Sequence, residues 1–173
     1  GRATGDAWSR RQQRRDSAAL LTMRRGIPPL ALVGLLAVLM WLAERAVPQA
    51  GVSLPWRGFV CAATAVAGLV LCALGVLPFR RAGTTVDPTR PERASALVTT
   101  GIYSVTRNPM YLGMLLVIVA WGIYLANAVG LVLAPLAFVL YIDRVQIPRE
   151  EQALAAAFGS DYTAYACRVR RWL

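Results

Sequence analysis

The sequence contains no histidine and no lysine. Without histidine the commonest general base and the commonest metal ligand are both missing, so any chemistry here proceeds without them. Cysteine is scarce too. Cys61 and Cys72 sit inside an apolar run and Cys167 lies near the C-terminus, a spacing that suggests neither a metal site nor a disulfide framework. Charge is sparse: 16% of residues are charged and 57% are hydrophobic, with a mean hydropathy of +0.48. That balance excludes an ordinary soluble domain of this size and makes the membrane the natural solvent. Acids are outnumbered, 9 against 19 arginines, for a net charge of +10. The arginines fall in blocks, Arg2 to Arg25, Arg45 with Arg57, Arg80 to Arg107 and Arg144 to Arg171, separated by long uncharged stretches. A nucleic-acid-binding protein would gather its cations on one soluble face, so the pattern argues against a nucleic-acid partner.

What the sequence does hold is apolar runs of membrane length. The first span is predicted from about Ile27 to Ala43 and the second from about Phe59 to Phe79, with arginines following each. The next stretch, Met110 to Ile142, is uncharged, too long for one span and short for two with a loop. Gly122, Asn127, Gly130 and Pro135 interrupt it, which predicts a tight helical hairpin turning near Ala126 and Asn127, its arms leaning together through small residues. The reading is an all-α polytopic membrane helix bundle of about four transmembrane helices. Its parts are a basic N-terminal extension over 1–26, for which Met23 is a plausible start, two spans within 27–79, and a functional region over 80–173.

Four spans put both termini on one side. The N-terminal segment, the Arg80 to Arg107 loop and the C-terminal segment are arginine-rich, whereas the loops near Pro48 and Asn127 are nearly free of positive charge. The positive-inside rule then makes both termini and the long loop cytoplasmic, in an inner or plasma membrane. Prolines and glycines predict a mostly extended or turning backbone from Arg80 to Asn108. Beyond the hairpin, Glu150 to Phe158 reads as a helix stopped by Gly159. Asp161 then caps a last amphipathic segment in which Tyr162, Tyr165, Val169 and Trp172 recur at helical spacing, a pattern that also suits an interfacial helix lying on the bilayer.

The residues that suggest chemistry lie where polar loop meets membrane helix. Asn108 is a good N-cap and Pro109 a good first helical residue, so a helix should enter the membrane there, its free amides offered to an anionic group such as a carboxylate. The hairpin returns Glu150 and Glu151 to the same membrane face, near Tyr103 and Tyr111. Acids beside aromatic faces suit a cationic ligand.

At these residues the chain resembles the isoprenylcysteine carboxyl methyltransferase and phospholipid methyltransferase superfamily of membrane enzymes. The resemblance runs from Ser95 to Trp172: SALVTTGIYSVTRNPMYLG, a hydrophobic hairpin, then EEQALAAAFGSDYTAYACRVRRW. It implies S-adenosylmethionine bound between loop and hairpin, with Leu97, Val98, Gly101, Tyr103, Asn108, Pro109, Met110, Tyr111 and Glu150 as the matching cofactor positions. Two departures stand out. The isoprenylcysteine enzymes commonly carry histidine where this chain has Asn108, and arginine one turn before the first glutamate where it has Gln146.

Methyl transfer from a sulfonium is an in-line displacement from an activated donor, so orientation in a dry pocket supplies most of the catalysis and the lack of histidine is tolerable. The expected acceptor is lipophilic, a carboxylate, amine or thiol arriving laterally from the bilayer. It would be steered by Tyr111, Glu150 and Arg144, with Glu150 or Glu151 taking the proton of an amine. No metal is expected. The competing readings are a nicotinamide-dependent membrane reductase and a non-catalytic lipid-binding membrane protein.

Overall fold

The computed structural model describes residues 26–53, 55–81 and 96–173. The basic extension over 1–25 and most of the Arg80 to Asn108 loop lie outside the described residues. Among the described residues five α-helices follow one another: α1 (Pro29–Ala46), α2 (Arg57–Arg81), α3 (Pro109–Leu125), α4 (Ala128–Tyr141) and α5 (Ile147–Arg168). A π-helical turn, Ile142–Gln146, joins α4 to α5, so that the two form one rod, continuous as far as a kink at Gly159. The helices α1 and α2 and this rod are long and apolar enough to cross a membrane, and α3 is a shorter apolar helix. At about 1.5 Å per residue α1 alone reaches close to the 30 Å of a hydrocarbon core. The chain is an all-α membrane helix bundle.

The hairpin turns at Ala126 and Asn127. Ala126 takes the left-handed conformation, φ 54°, and ends α3, and Asn127 starts α4 with its Oδ1 accepting from Val129 N and Gly130 N. Its Nδ2 donates to Val47 O, and Val52 N donates to Ala126 O, so the connection after α1 is tied to the hairpin tip. Gly122, Gly130 and Pro135 stay inside their helices and do not interrupt them. A Cβ on Gly122 would stand 2.8 Å from Leu131 Cδ1 and 3.0 Å from Met40 Cε of α1, whereas one on Gly130 would meet Met40 at an ordinary contact distance of 3.5 Å. The core between α1, α3 and α4 is completed by Leu36, Ile118, Phe138 and Ile142.

The closest backbone approach is between α2 and α3. A Cβ on Gly113 would stand 2.6 Å from Gly68 O and 2.6 Å from Cys72 Sγ, and one on Gly75 would stand 2.5 Å from Met110 Cγ. The hairpin arms do meet at Gly122 and Leu131. The main small-residue seam, however, joins α3 to the preceding span. In lipid no hydrophobic force drives helices together, so such seams depend on close van der Waals contact.

At the polar end of the bundle this seam anchors the start of α3 beside the end of α2. Tyr141 Oη also donates to Ile27 O, which brings the start of α1 to the same end. We predict that Gly113→Leu lowers the stability of the purified protein by about 2 kcal/mol or more by overpacking the seam. Gly34→Leu, at a position with open space around it, leaves stability unchanged. Thermal unfolding in detergent compares the two, and equal midpoints would contradict the account of the seam.

Candidate functional site

Four pieces of chain converge at the polar end: the segment before α3, the first turn of α3, the π-helical turn with the start of α5, and the C-terminal residues. The first carries Leu97 and Val98, then a 3₁₀ turn, Gly101–Ser104. Gly101 has φ 63°, a left-handed conformation that a side chain would strain. It turns the buried Tyr103 inward, where the ring packs edge-on against Phe79 at 5.3 Å and its hydroxyl donates to Gly75 O at 3.2 Å. Tyr165 from α5 donates to Tyr103 O at 2.8 Å. Leu97 packs against Tyr162, Tyr165 and Val169, so the amphipathic face of the last segment is covered by this chain's own residues. Gly159 breaks α5 with φ 54° and ψ −122°, as its position in the sequence suggests. Asp161 is exposed, and Thr163 rather than Asp161 bonds back, donating to Gly159 O.

The centre is Glu150. Tyr111 is buried and its hydroxyl donates to Glu150 Oε1, while Gln146 Nε2 donates to the same oxygen at 2.7 Å. Gln146 lies four residues before Glu150 on the rod, the spacing that places side chains on one face. Glu150 stands beyond Asp143 and Arg144, where the apolar part of the rod has ended. Burial pushes its carboxyl up from the ordinary 4.5 to about 7. The Glu151 charge adds to the rise, and the Tyr111 and Gln146 hydrogen bonds oppose it. The phenol of Tyr103 is likewise pushed up, chiefly by burial and then by Tyr165 and Glu150. Tyr103 and Tyr165, the latter at about 12, therefore remain proton donors at neutral pH.

Glu151, next in sequence, has the opposite surroundings. Arg171 grips it with Nε at 2.9 Å and Nη2 at 2.6 Å, and Arg107 Nη1 lies 3.0 Å from it. Arg171 also reaches Asp143 at 3.4 Å, and Arg107 Nη1 donates to Tyr162 Oη at 3.1 Å. Glu151 is thus paired with two cations, whereas Glu150 has none among the described residues. Arg107 Nε is buried without an acceptor.

The start of α3 differs from its sequence reading in one respect. Asn108 is the N-cap residue, but its side chain does not cap. Its Nδ2 donates to Arg171 O at 3.0 Å, and no side chain caps the first turn. Pro109 and Met110 pack against Gly75 of α2. The structure therefore brings Tyr103, Asn108, Tyr111 and Glu150 to one end, with Leu97, Val98 and Gly101 shaping the approach. Arg144 is not among them. It is exposed, with no ion pair among the described residues, because the π-helical turn carries it outward while Gln146 faces in. Arg107, Gln146 and Arg171 are the polar participants that spacing alone did not single out. Among the described residues no cluster of three histidine, cysteine or acidic side chains stands close enough to hold a metal ion.

A half-buried acid supplied with neutral donors, beside an uncapped helix start at a membrane face, narrows the comparison with known proteins. The sequence pattern of phospholipid methyltransferases matches residues 56–161, more than half of the chain. The chain belongs to the phospholipid methyltransferase family. It is an integral membrane protein. It is similar to an uncharacterised protein of Haemophilus influenzae, 44% identical over 64 residues, which cover 37% of this chain and all of that one. It is also similar to protein-S-isoprenylcysteine O-methyltransferase B of Arabidopsis thaliana, 32% identical over 107 residues, 60% of this chain and 52% of that enzyme. A probable protein-S-isoprenylcysteine O-methyltransferase of Oryza sativa subsp. indica is 33% identical over 111 residues, 62% of this chain and 56% of that protein. The chain spans about half the length of the plant relatives it matches.

Glu150 makes a prediction with a definite sign. An acid whose folded value is raised binds its proton more tightly in the folded state, so it destabilises the fold as pH rises from 4.5 through about 7. Glu150→Gln should therefore stabilise the ligand-free protein at pH 8, by up to about 3 kcal/mol, and make little difference near pH 4.5. Thermal unfolding across that range measures it. A variant that is less stable at pH 8 would show that the carboxylate holds the fold together.

Proposed function

We propose that the protein is an S-adenosylmethionine-dependent methyltransferase that acts on a lipophilic acceptor. The observation that carries this reading is Glu150, a half-buried carboxyl held by Tyr111 and Gln146 with no cation of its own among the described residues. Its surroundings oppose ionisation until a positive group arrives, which suits the ammonium of the cofactor's methionine part.

The neighbouring residues fit the rest of the group. In the uncapped first turn of α3 the backbone N–H groups of Met110 and Tyr111 are offered to a carboxylate, since Pro109 has none and Asn108 N donates to Thr106 Oγ1. Arg107 Nε–H adds a buried donor without an acceptor. Tyr103 and Tyr111 supply aromatic surface for a sulfonium, and Leu97, Val98 and Gly101 supply an apolar wall that the backbone can approach closely. When bound, the cofactor supplies an already activated methyl group. The task left to the chain is to orient it, exclude water and admit the acceptor.

The plant relatives are named for an isoprenylcysteine acceptor, and the family for a phospholipid. Both are lipids, and a site at the mouths of membrane helices is reached from within the bilayer. The acceptor atom is an isoprenylcysteine-like carboxylate, a lipid amine or a thiol. Glu150, assigned to the cofactor, is not free to deprotonate the acceptor, and Glu151 is paired with two cations. An amine would therefore arrive already uncharged. Exposed Arg144 suits an anionic headgroup at the rim better than the reacting atoms. The arginine distribution supports an orientation with both termini and the site on the cytoplasmic side.

One experiment tests chemistry and orientation together. Methyl-labelled S-adenosylmethionine, added outside inverted membrane vesicles containing the protein and a prenylated cysteine analogue or total lipid, should deliver label to the organic phase. Right-side-out vesicles, with the cytoplasmic face enclosed, should not. Tyr111→Ala should reduce transfer by about tenfold or more through loss of an aromatic wall and of Glu150's partner. Label confined to water-soluble thiols or amines would contradict the lipophilic acceptor. Equal labelling of both vesicle types would contradict the orientation.

A further inference from the structure

The C-terminal residues do more than cover the bundle. Arg171 is held from both ends. Its carbonyl accepts from Thr106 Oγ1 at 3.1 Å and from Asn108 Nδ2 at 3.0 Å, and the preceding carbonyl of Arg170 accepts from Arg107 N at 3.0 Å. Its guanidinium takes Glu151 as a two-point fork and also reaches Asp143, to which Trp172 Nε1 donates at 3.4 Å. One residue therefore ties the segment leading into α3 to the π-helical turn and the first turn of α5. The Tyr111–Glu150–Gln146 contact lies between those two elements. Two-point guanidinium–carboxylate contacts are directional as well as strong, so the strap fixes a distance and an angle.

We propose that Arg171 is a positioning residue, and that the segment Val169–Trp172 is a strap holding the start of α3 and the start of α5 at the spacing the site needs. This rests on the cofactor reading above. The strap acts in two ways. It holds the Asn108 amide against the Arg171 carbonyl and away from the first turn of α3. It also joins Arg107 in neutralising Glu151, the nearest negative charge to Glu150. The groups that face Glu150 are Tyr111 from α3, Tyr103 from the turn before it, and Gln146 and Glu151 from its own rod. Arg107 and Arg171 reach it through Glu151. Removing Arg171 leaves Glu151 charge less compensated, and that charge raises the Glu150 carboxyl further.

The test uses full-length protein in detergent. It measures two things against pH: the dissociation constant for S-adenosylhomocysteine, and thermal unfolding without ligand, which reads the titration of Glu150 independently. Arg171→Gln should weaken binding about tenfold at pH 8, because the two halves of the site lose their register. It should also move the midpoint of both pH curves upward. Adding Glu151→Gln removes the source of repulsion, so the double variant should bring the midpoint back to the wild-type value or below. Arg171→Lys keeps the charge without the fork, so it should leave the midpoint near wild type while still weakening binding. A structural latch alone would lower the unfolding temperature and leave the midpoint unmoved, and that result, or wild-type binding by Arg171→Gln, overturns the proposal. If the wild-type protein fails to bind S-adenosylhomocysteine at any pH, the cofactor reading fails. The strap is then judged on the unfolding midpoints alone.

Discussion

The site is organised around the cost of burying one carboxyl group. Glu150 is half-withdrawn from water in a place where, among the described residues, its hydrogen-bond partners are the phenol of Tyr111 and the amide of Gln146. A buried carboxylate without a cation is unfavourable, and a protein under no functional constraint would pair it or replace it. The adjacent Glu151 shows the alternative, since two arginines pair with it. Two neighbouring acids on one helix are thus given opposite electrostatic roles, one to hold structure and one to stay receptive to a positive ligand. Such unevenness is what separates a functional charge from a structural one.

Everything around Glu150 serves to hold it there. The Gly68–Gly113 contact fixes α3 against α2, and so sets where Tyr111 stands. The π-helical turn directs Gln146 inward over Glu150 and leaves Arg144 outside. Asn127 closes the far end of the hairpin, so that the rod carrying Glu150 returns beside α3. At the polar end the C-terminal residues complete the enclosure through Tyr165, Arg171 and Trp172.

Much of this was legible in the chain itself. Spans, hairpin and turn follow from uncharged runs interrupted at Gly122, Asn127, Gly130 and Pro135, of which Asn127 alone stands at the turn and caps a helix. The meeting of Tyr111 with Glu150 follows from hairpin geometry, because two antiparallel arms return their outer ends to the same membrane face. The partners of Glu151 did not follow, because Arg107 and Arg171 reach it only after the tail folds back, and no local periodicity encodes that contact. Asn108 was legible as the start of α3, but the competing carbonyl of Arg171 was not. Arg144 is exposed on the π-helical turn, apart from the Tyr111–Glu150–Gln146 contact, and that turn has no signal in the sequence pattern. Glycines 68 and 113 lie in different spans, and only their packing shows that the tightest seam joins the hairpin to α2.

The central claim is that Glu150 is held for a cationic ligand and gives up a proton when that ligand binds. Titration calorimetry with S-adenosylhomocysteine at pH 7, in buffers of different ionisation enthalpy, counts that proton directly. With a carboxyl near 7, the account predicts release of about half a proton per ligand bound by the wild-type protein, and none in Glu150→Gln. Binding without proton release, or the same release in both proteins, would contradict it.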